Sequence, residues 1–99
     1  MYSVNLGKNR SRIEIMAAIL EKAAQGARKT RMMNGANLSF RQIERYIRYM
    51  DKTGFLSFEE ESGLSWTTSK GSEFLKSYEK IKLLMGFPQS PIIKPMVVR

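Results

Sequence analysis

The sequence has 99 residues, enough for one domain with a buried core and too few for a second. It carries 17 lysines and arginines against 9 acidic residues, and its net charge of +8 favours a nucleic acid as partner over an anionic membrane surface. Cysteine and histidine are absent, which excludes disulfides, zinc sites of the Cys/His type and an imidazole base. The acidic residues form no paired constellation, so we expect no enzymatic activity, no cofactor and no metal.

The two ends of the sequence differ from its middle. Residues 1–10 are expected to form a basic, irregular arm, and they lack the apolar run of a signal peptide. Residues 87–99 contain all three prolines and are expected to form an extended apolar tail. No stretch approaches the roughly 18 apolar residues of a membrane-spanning helix, so we expect a soluble, cytoplasmic protein.

The first predicted helix runs over residues 12–25. Ser11 and Glu14 have the spacing of a capping box, and Gly26 is expected to end the helix. Apolar residues cover most of the helix circumference, which is typical of a helix that is buried on more than one side. The segment from Ile13 to Leu20 is therefore predicted to lie in the central core.

A short second helix is predicted over residues 31–34. Thr30 is a suitable N-cap for it, and Gly35 is a suitable end. Residues 36–38 then form a tight turn that leads into a longer third helix. The predicted order is thus helix, short helix, turn and long helix.

The third helix, residues 39–53, separates into two faces at about 100° per residue. Four apolar residues lie on one face: Phe40, Ile43, Ile47 and Met50. Four basic residues lie on the opposite face: Arg41, Arg45, Arg48 and Lys52. A solvated helix face usually mixes its charges, so this clean basic row, about 17 Å long, predicts contact with a polyanion.

A β-hairpin is predicted after the third helix. Two β-prone runs, residues 55–60 and 64–68, flank a turn that contains glycine. Either Trp66 or Thr67 faces the core. The hairpin loop carries three consecutive glutamates at 59–61, which would repel phosphate, so we expect the loop to stay off a polyanion and to act as a solubilising segment.

The last predicted helix spans residues 69–86, with Thr68 or Ser69 as its cap. Four residues form a heptad-like seam along it: Phe74, Tyr78, Ile81 and Met85. This seam can cover the first helix, form a homodimer interface, or do both.

Four segments resemble an archaeal family of small winged helix-turn-helix proteins, which includes small Sulfolobus DNA-binding proteins. They occur in the family's order: KTRMM at 29–33, ANLS at 36–39, GFL at 54–56 and TSKGSEFL at 68–75. The similarity extends over residues 12–84. The resemblance implies DNA binding or transcriptional regulation, and a homodimer formed through the C-terminal helix as an antiparallel coiled coil.

We therefore expect a mainly α (α+β) fold in a single domain. A winged helix-turn-helix core at 11–68 would contain three helices and a β-hairpin wing, and a dimerisation helix would follow at 69–86. The expected partners are double-stranded DNA and a second copy of the chain, without a membrane or a small-molecule substrate.

The expected DNA contacts follow from helix-turn-helix docking, in which the start of the second helix of the motif meets base edges in the major groove. The candidate base readers are Ser39, Arg41, Gln42 and Arg45, because arginine pairs with guanine and glutamine with adenine. The candidate backbone contacts are Lys29, Thr30, Arg31, Asn37, Arg48 and Lys52. Tyr49 is the open aromatic side chain that can stack on a sugar or a base.

The predicted function is sequence-preferring regulation of transcription at the nucleoid. Two other functions stay open. The first is a chromatin-like architectural protein that binds DNA with little specificity. The second is a winged-helix module that binds another protein, which the acidic hairpin loop and the apolar tail favour.

Overall fold

The computed structural model describes residues 11–86, so the predicted arm (1–10) and tail (87–99) lie outside the described residues. Within that range the chain forms four helices and one antiparallel sheet of three strands. The elements are α1 (Arg12–Ala23), β1 (Ala27–Arg28), α2 (Lys29–Gly35), α3 (Phe40–Lys52), β2 (Leu56–Glu59), β3 (Leu64–Thr67) and α4 (Ser69–Leu84). The predicted fold class, a mainly α winged helix-turn-helix, is confirmed.

Helix α1 begins where the capping-box pattern predicts. The Ser11 Oγ accepts a hydrogen bond from the Glu14 N–H (3.1 Å), and the Glu14 Oε1 accepts one from the Ser11 N–H (3.0 Å). The core begins later than predicted, because Ile13 is 54 % exposed and Met16 is the first buried residue. The prediction of a core residue at Ile13 is therefore wrong, because more than half of this residue is exposed to solvent.

Helix α2 starts earlier than predicted, and Thr30 does not cap it. The N-cap is Arg28, which has an extended backbone and makes no side-chain capping hydrogen bond. Thr30 is instead an exposed residue of the first turn. The difference arises from β1, in which Arg28 pairs with Leu64 of β3 and carries the chain directly into the helix.

The turn between α2 and α3 places Asn37 in the left-handed region, at φ 57°, which asparagine tolerates better than most residues. The Leu38 N–H donates to the Met33 carbonyl (2.9 Å) and closes the turn. Helix α3 then begins with a second capping box, between Ser39 and Gln42. The predicted cap at Ser39 is confirmed.

The apolar face of α3 is buried at three of its four predicted positions. Ile43, Ile47 and Met50 lie in the core, whereas Phe40 is 56 % exposed. Phe40 is the first residue of the helix, and the Lys29 Nζ lies 4.7 Å from its ring centroid. A cation over the ring stabilises the aromatic side chain at the surface. Phe40 belongs to the apolar face by its spacing, but it lies at the surface and outside the core.

The predicted hairpin is present, and a third strand extends it. Strand β3 lies between β2 and β1 and is antiparallel to both. Strand β1 has two residues, too few to show an alternating pattern in the sequence. On β3, Trp66 is 42 % exposed and covers Gly26, while the Thr67 Oγ1 donates to the Leu20 carbonyl (2.7 Å). Of the two candidate residues, Thr67 is the one that faces the core.

The start of α4 is tied to the segment that follows α3. Thr68, and not Ser69, is the N-cap, and its Oγ1 accepts a hydrogen bond from the Gly71 N–H (3.1 Å). The same hydroxyl donates towards the carbonyls of Gly54 (2.5 Å) and Phe55 (3.1 Å). A Cβ atom at Gly71 would overlap the Phe55 carbonyl oxygen. Glycine is therefore required where α4 passes the segment that follows α3.

Replacing Gly71 with alanine is expected to destabilise the protein by about 1–3 kcal/mol, the usual cost of overpacking. Helix propensity by itself has the opposite effect, because alanine is more favourable than glycine within a helix by about 1 kcal/mol. The sign of the change in stability therefore tests the close packing. Urea unfolding followed by circular dichroism measures the free energy of unfolding. Ser72→Ala, at the exposed neighbouring position, is the control and should change it by less than about 0.5 kcal/mol. A Gly71→Ala variant as stable as the wild type would contradict the close packing.

Candidate nucleic-acid interface

The outward face of α3 carries the predicted basic row. Its four side chains are all exposed: Arg41, Arg45, Arg48 and Lys52. They face solvent because the opposite side of the helix is buried in the core. The two acidic residues of α3, Glu44 and Asp51, lie together at one margin of the row. The Asp51 Oδ1 accepts a hydrogen bond from the Phe58 N–H of β2 (3.2 Å), which directs this carboxylate towards the sheet.

Two of the predicted base readers also cap α3. The Ser39 Oγ accepts a hydrogen bond from the Gln42 N–H (3.2 Å), and the Gln42 Oε1 accepts one from the Ser39 N–H (2.9 Å). Both side chains remain exposed. A bidentate contact with adenine uses the amide oxygen and nitrogen together. Gln42 must therefore share its oxygen with the cap or leave the cap to read adenine.

Lys29 is held away from the basic row by an ion pair. Its Nζ lies 2.9 Å from the Glu44 Oε2, and Lys29 is only half-exposed. The hydrogen bond and the charge of Lys29, with a smaller contribution from Arg48, lower the pKa of Glu44 below its ordinary value of 4.5. The charge of Lys29 is thus balanced within the protein by the Glu44 carboxylate.

The other predicted contact residues are exposed around α3. They are Thr30 and Arg31 on α2, Asn37 in the turn, and Tyr49 on α3, which is 46 % exposed. Helices α2 and α3 pack against each other. Thr30 and Arg31 therefore lie on the flank of α3 that faces α2.

A pocket on α3 adds a residue that the sequence analysis missed. It has a volume of about 350 Å³ and is lined by Arg12, Gln42, Arg45, Tyr46 and Tyr49. Arg12 is the first residue of α1 and is 30 positions before Gln42, so no local pattern places the two together. The pocket places Arg12 of α1 beside α3.

The hairpin loop is acidic at its surface. Glu59, Glu60 and Glu61 are exposed, and the Glu59 Oε1 accepts a hydrogen bond from the Ser62 Oγ (2.7 Å). The nearby Arg28 donates from its Nη1 to the Ser62 carbonyl (3.1 Å), so this arginine lies on the loop backbone. That the loop stays off a polyanion remains a prediction.

The first half of the α4 seam packs inside the protein. Phe74 contacts Phe55 edge-on, with 5.3 Å between ring centroids. Tyr78 is half-buried, and burial raises the pKa of its hydroxyl, as do the charges of nearby Glu14 and Glu21 on α1. Phe74 therefore packs against the core, and Tyr78 lies at the contact between α4 and α1.

The second half of the seam is open to solvent. Ile81 is 52 % exposed and Met85 is 64 % exposed. The neighbouring Leu83 and Leu84 are also exposed, at 55 % and 81 %. The end of α4 thus presents an apolar surface, the α4 end patch, formed by Ile81, Leu84 and Met85, while Leu83 is exposed on the other side of the helix.

No helix within residues 11–86 is long and apolar enough to cross a membrane. The same part of the chain contains no group of three or more His, Cys, Asp or Glu side chains placed to hold a metal ion.

Comparison with known proteins agrees with the observed architecture. The family model that matches the chain describes a winged helix-turn-helix and covers residues 9–86. This range contains every element from α1 to α4, and with them the basic row and the pocket. No curated protein matches the sequence at a significant level.

The ion pair between Lys29 and Glu44 predicts a measurable titration. A Lys29→Met variant is expected to raise the pKa of Glu44, because the hydrogen bond and charge that lower it are removed. NMR titration of the side-chain carboxyl carbon measures this pKa. Since the folded-state pKa is lowered, the stabilisation is present above the unfolded-state pKa and is lost as pH falls through the folded-state pKa.

Lys52→Met is the control for this titration, because it removes an equal charge from the exposed end of α3. It should leave the pKa of Glu44 close to the wild-type value. Equal titration curves for the wild type and for Lys29→Met would contradict the ion pair.

Proposed function

Because the chain belongs to the winged helix-turn-helix family, which implies DNA as a partner, we propose that it binds double-stranded DNA with α3 in the major groove. The observation that carries this proposal is the basic row of α3, which is exposed along its length and backed by a buried apolar face. The major groove is about 12 Å wide and admits an α-helix. We further propose that the protein acts as a homodimeric regulator of transcription.

The N-terminal half of α3 is proposed to read the bases. In helix-turn-helix docking this part of the helix approaches the base edges, and Arg41 and Arg45 are exposed there. A guanidinium group can donate two hydrogen bonds to O6 and N7 of guanine. Ser39 and Gln42 remain candidates, but their hydrogen bonds in the cap compete with base contacts. The two arginines are therefore expected to carry most of the sequence preference.

The remaining basic residues are proposed to hold the phosphate backbone. Arg48 and Lys52 lie in the C-terminal half of α3, further from the base edges. On the α2 side the proposed backbone contacts are Thr30, Arg31 and Asn37. Lys29 contributes less, because Glu44 already balances its charge. These contacts would position the protein without reading sequence.

The homodimer is proposed to form through the α4 end patch. Burying a large apolar side chain contributes about 1.5–3 kcal/mol, and Ile81 and Met85 of the predicted seam are both exposed. Phe74 packs against the protomer's own core and Tyr78 is half-buried, so the proposed interface centres on the second half of the seam. Two copies would present two α3 helices to half-sites about 34 Å apart.

The proposed mechanism is occupation of promoter DNA on the chromosome, without catalysis. A second candidate function is low-specificity architectural binding. The capping box of α3 favours this function in part, because two of the four predicted base readers, Ser39 and Gln42, are engaged in that cap. Equal affinity for all duplex sequences would support the architectural function.

The double variant Arg41→Ala/Arg45→Ala tests the recognition face. Each lost base contact is expected to cost about 1–3 kcal/mol and to relax sequence preference at its position. Fluorescence anisotropy at two salt concentrations would compare DNA from upstream of the protein's own gene with a scrambled duplex.

The matched control is Lys76→Ala/Lys80→Ala, which removes two exposed charges from α4. This control should change the affinity for both duplexes much less. If the arginine variant binds DNA with wild-type affinity, the assignment of the basic row of α3 as the recognition face is wrong. If the wild type binds no duplex even at low salt, the result favours a protein-binding module.

The double variant Ile81→Glu/Met85→Glu is expected to convert the dimer into a folded monomer. Both positions are exposed within the protomer, so added charge opposes association without disturbing the core. Sedimentation equilibrium measures the mass, and circular dichroism checks the fold. Ser72→Glu, about 13 Å further back along α4, is the control and should remain dimeric. A wild-type monomer at high protein concentration would contradict the proposed dimer.

A further inference from the structure

The pocket between α1 and α3 has a composition suited to a phosphodiester. Two arginines, Arg12 and Arg45, line it together with Gln42, Tyr46 and Tyr49. None of the five is acidic. Guanidinium groups pair with phosphate oxygens through two parallel hydrogen bonds, and tyrosine hydroxyls can donate further ones. The tyrosine rings provide an apolar surface against which a sugar can pack.

The position of the pocket also points to the DNA backbone. Gln42, Tyr46 and Tyr49 are spaced by four and three residues, so they follow one line along α3. This line lies on the opposite side of the basic row from Glu44 and the α2 contact. A helix in the major groove has one strand's backbone along each flank. The pocket therefore lies on the flank that α2 does not cover.

We infer that this pocket binds one backbone phosphate of the duplex with its deoxyribose, and that Arg12 is the phosphate contact from α1. The inference rests on the proposed function, because it requires α3 to lie in the groove. It adds α1 to the interface and gives each flank of α3 its own backbone contact. Arg12 and Arg31 would then hold the two strands on either side of the recognition helix.

An Arg12→Ala variant tests this inference through the salt dependence of duplex binding. One phosphate contact contributes about 0.9 to the slope of log affinity against log salt. The variant should lower that slope by about one and weaken binding to specific and scrambled duplexes alike. Its loss of affinity should be about threefold larger at 50 mM than at 200 mM salt.

The matched control is Lys22→Ala, which removes a charge from the last turn of the same helix, about 15 Å from Arg12. Thermal unfolding of both variants checks that the fold is intact. The control should leave the salt slope unchanged. An Arg12→Ala variant with wild-type affinity and slope overturns the inference, as does one that changes sequence preference in the manner of a base contact.

Duplexes with single methylphosphonate substitutions then locate the phosphate. At the contacted position the neutral linkage should weaken the wild type, while Arg12→Ala should be insensitive to it. If the loss of affinity caused by the neutral linkage and the loss caused by Arg12→Ala add at every position, the inference is overturned. The proposed function fails separately, when Arg41→Ala/Arg45→Ala retains wild-type duplex affinity.

A free phosphate ion is the other possible source of the same chemical group. An NMR titration with inorganic phosphate, without DNA, distinguishes it. Saturable shifts at Tyr46 and Tyr49, combined with duplex binding that is indifferent to Arg12→Ala, assign the pocket to a free anion and overturn the inference. Weak, unsaturated shifts together with the salt effect on duplex binding support the backbone contact.

Discussion

Burial of Ile43, Ile47 and Met50 sets the rotation of α3 about its own axis, and the candidate interface depends on that rotation. Each buried side chain is worth about 1.5–3 kcal/mol relative to exposure, whereas an exposed ion pair contributes about 0–1 kcal/mol. The apolar face therefore outweighs the mutual repulsion of four cations on the other side. The basic row points to solvent as a consequence of core packing.

A second constraint acts at the end of α3, where the chain turns into β2 and later returns to begin α4. The Thr68 hydroxyl bonds the Gly54 and Phe55 carbonyls, and the Lys70 Nζ donates to the Thr53 carbonyl (2.7 Å). A cation at the C-terminus of a helix also interacts favourably with the helix dipole. The end of α4 carries the proposed dimer surface. Because these bonds hold the start of α4 to the end of α3, a packed contact and not a flexible linker would set the distance between the two α3 helices of the proposed dimer.

The two flanks of α3 differ in their electrostatics. On one flank the Lys29 ammonium is balanced by Glu44, and on the other Arg12 and Arg45 line a pocket without an acidic residue. The lysine on the α2 side is therefore balanced within the protein, whereas the pocket on the α1 side has no acidic lining residue.

The sequence by itself determined the features that depend on residues close to one another along the chain. The cap at Ser39 and the two faces of α3 follow from spacings within one or two helical turns, and the hairpin follows from a turn between β-prone runs. Contacts between distant segments were decided only by the tertiary structure. Pairing of β1 with β3 moved Thr30 from the cap of α2 into its first turn, and the limits of the core left Phe40 exposed. The pocket at Arg12 also joins segments 30 residues apart in sequence, and helical periodicity carries no information across such a separation.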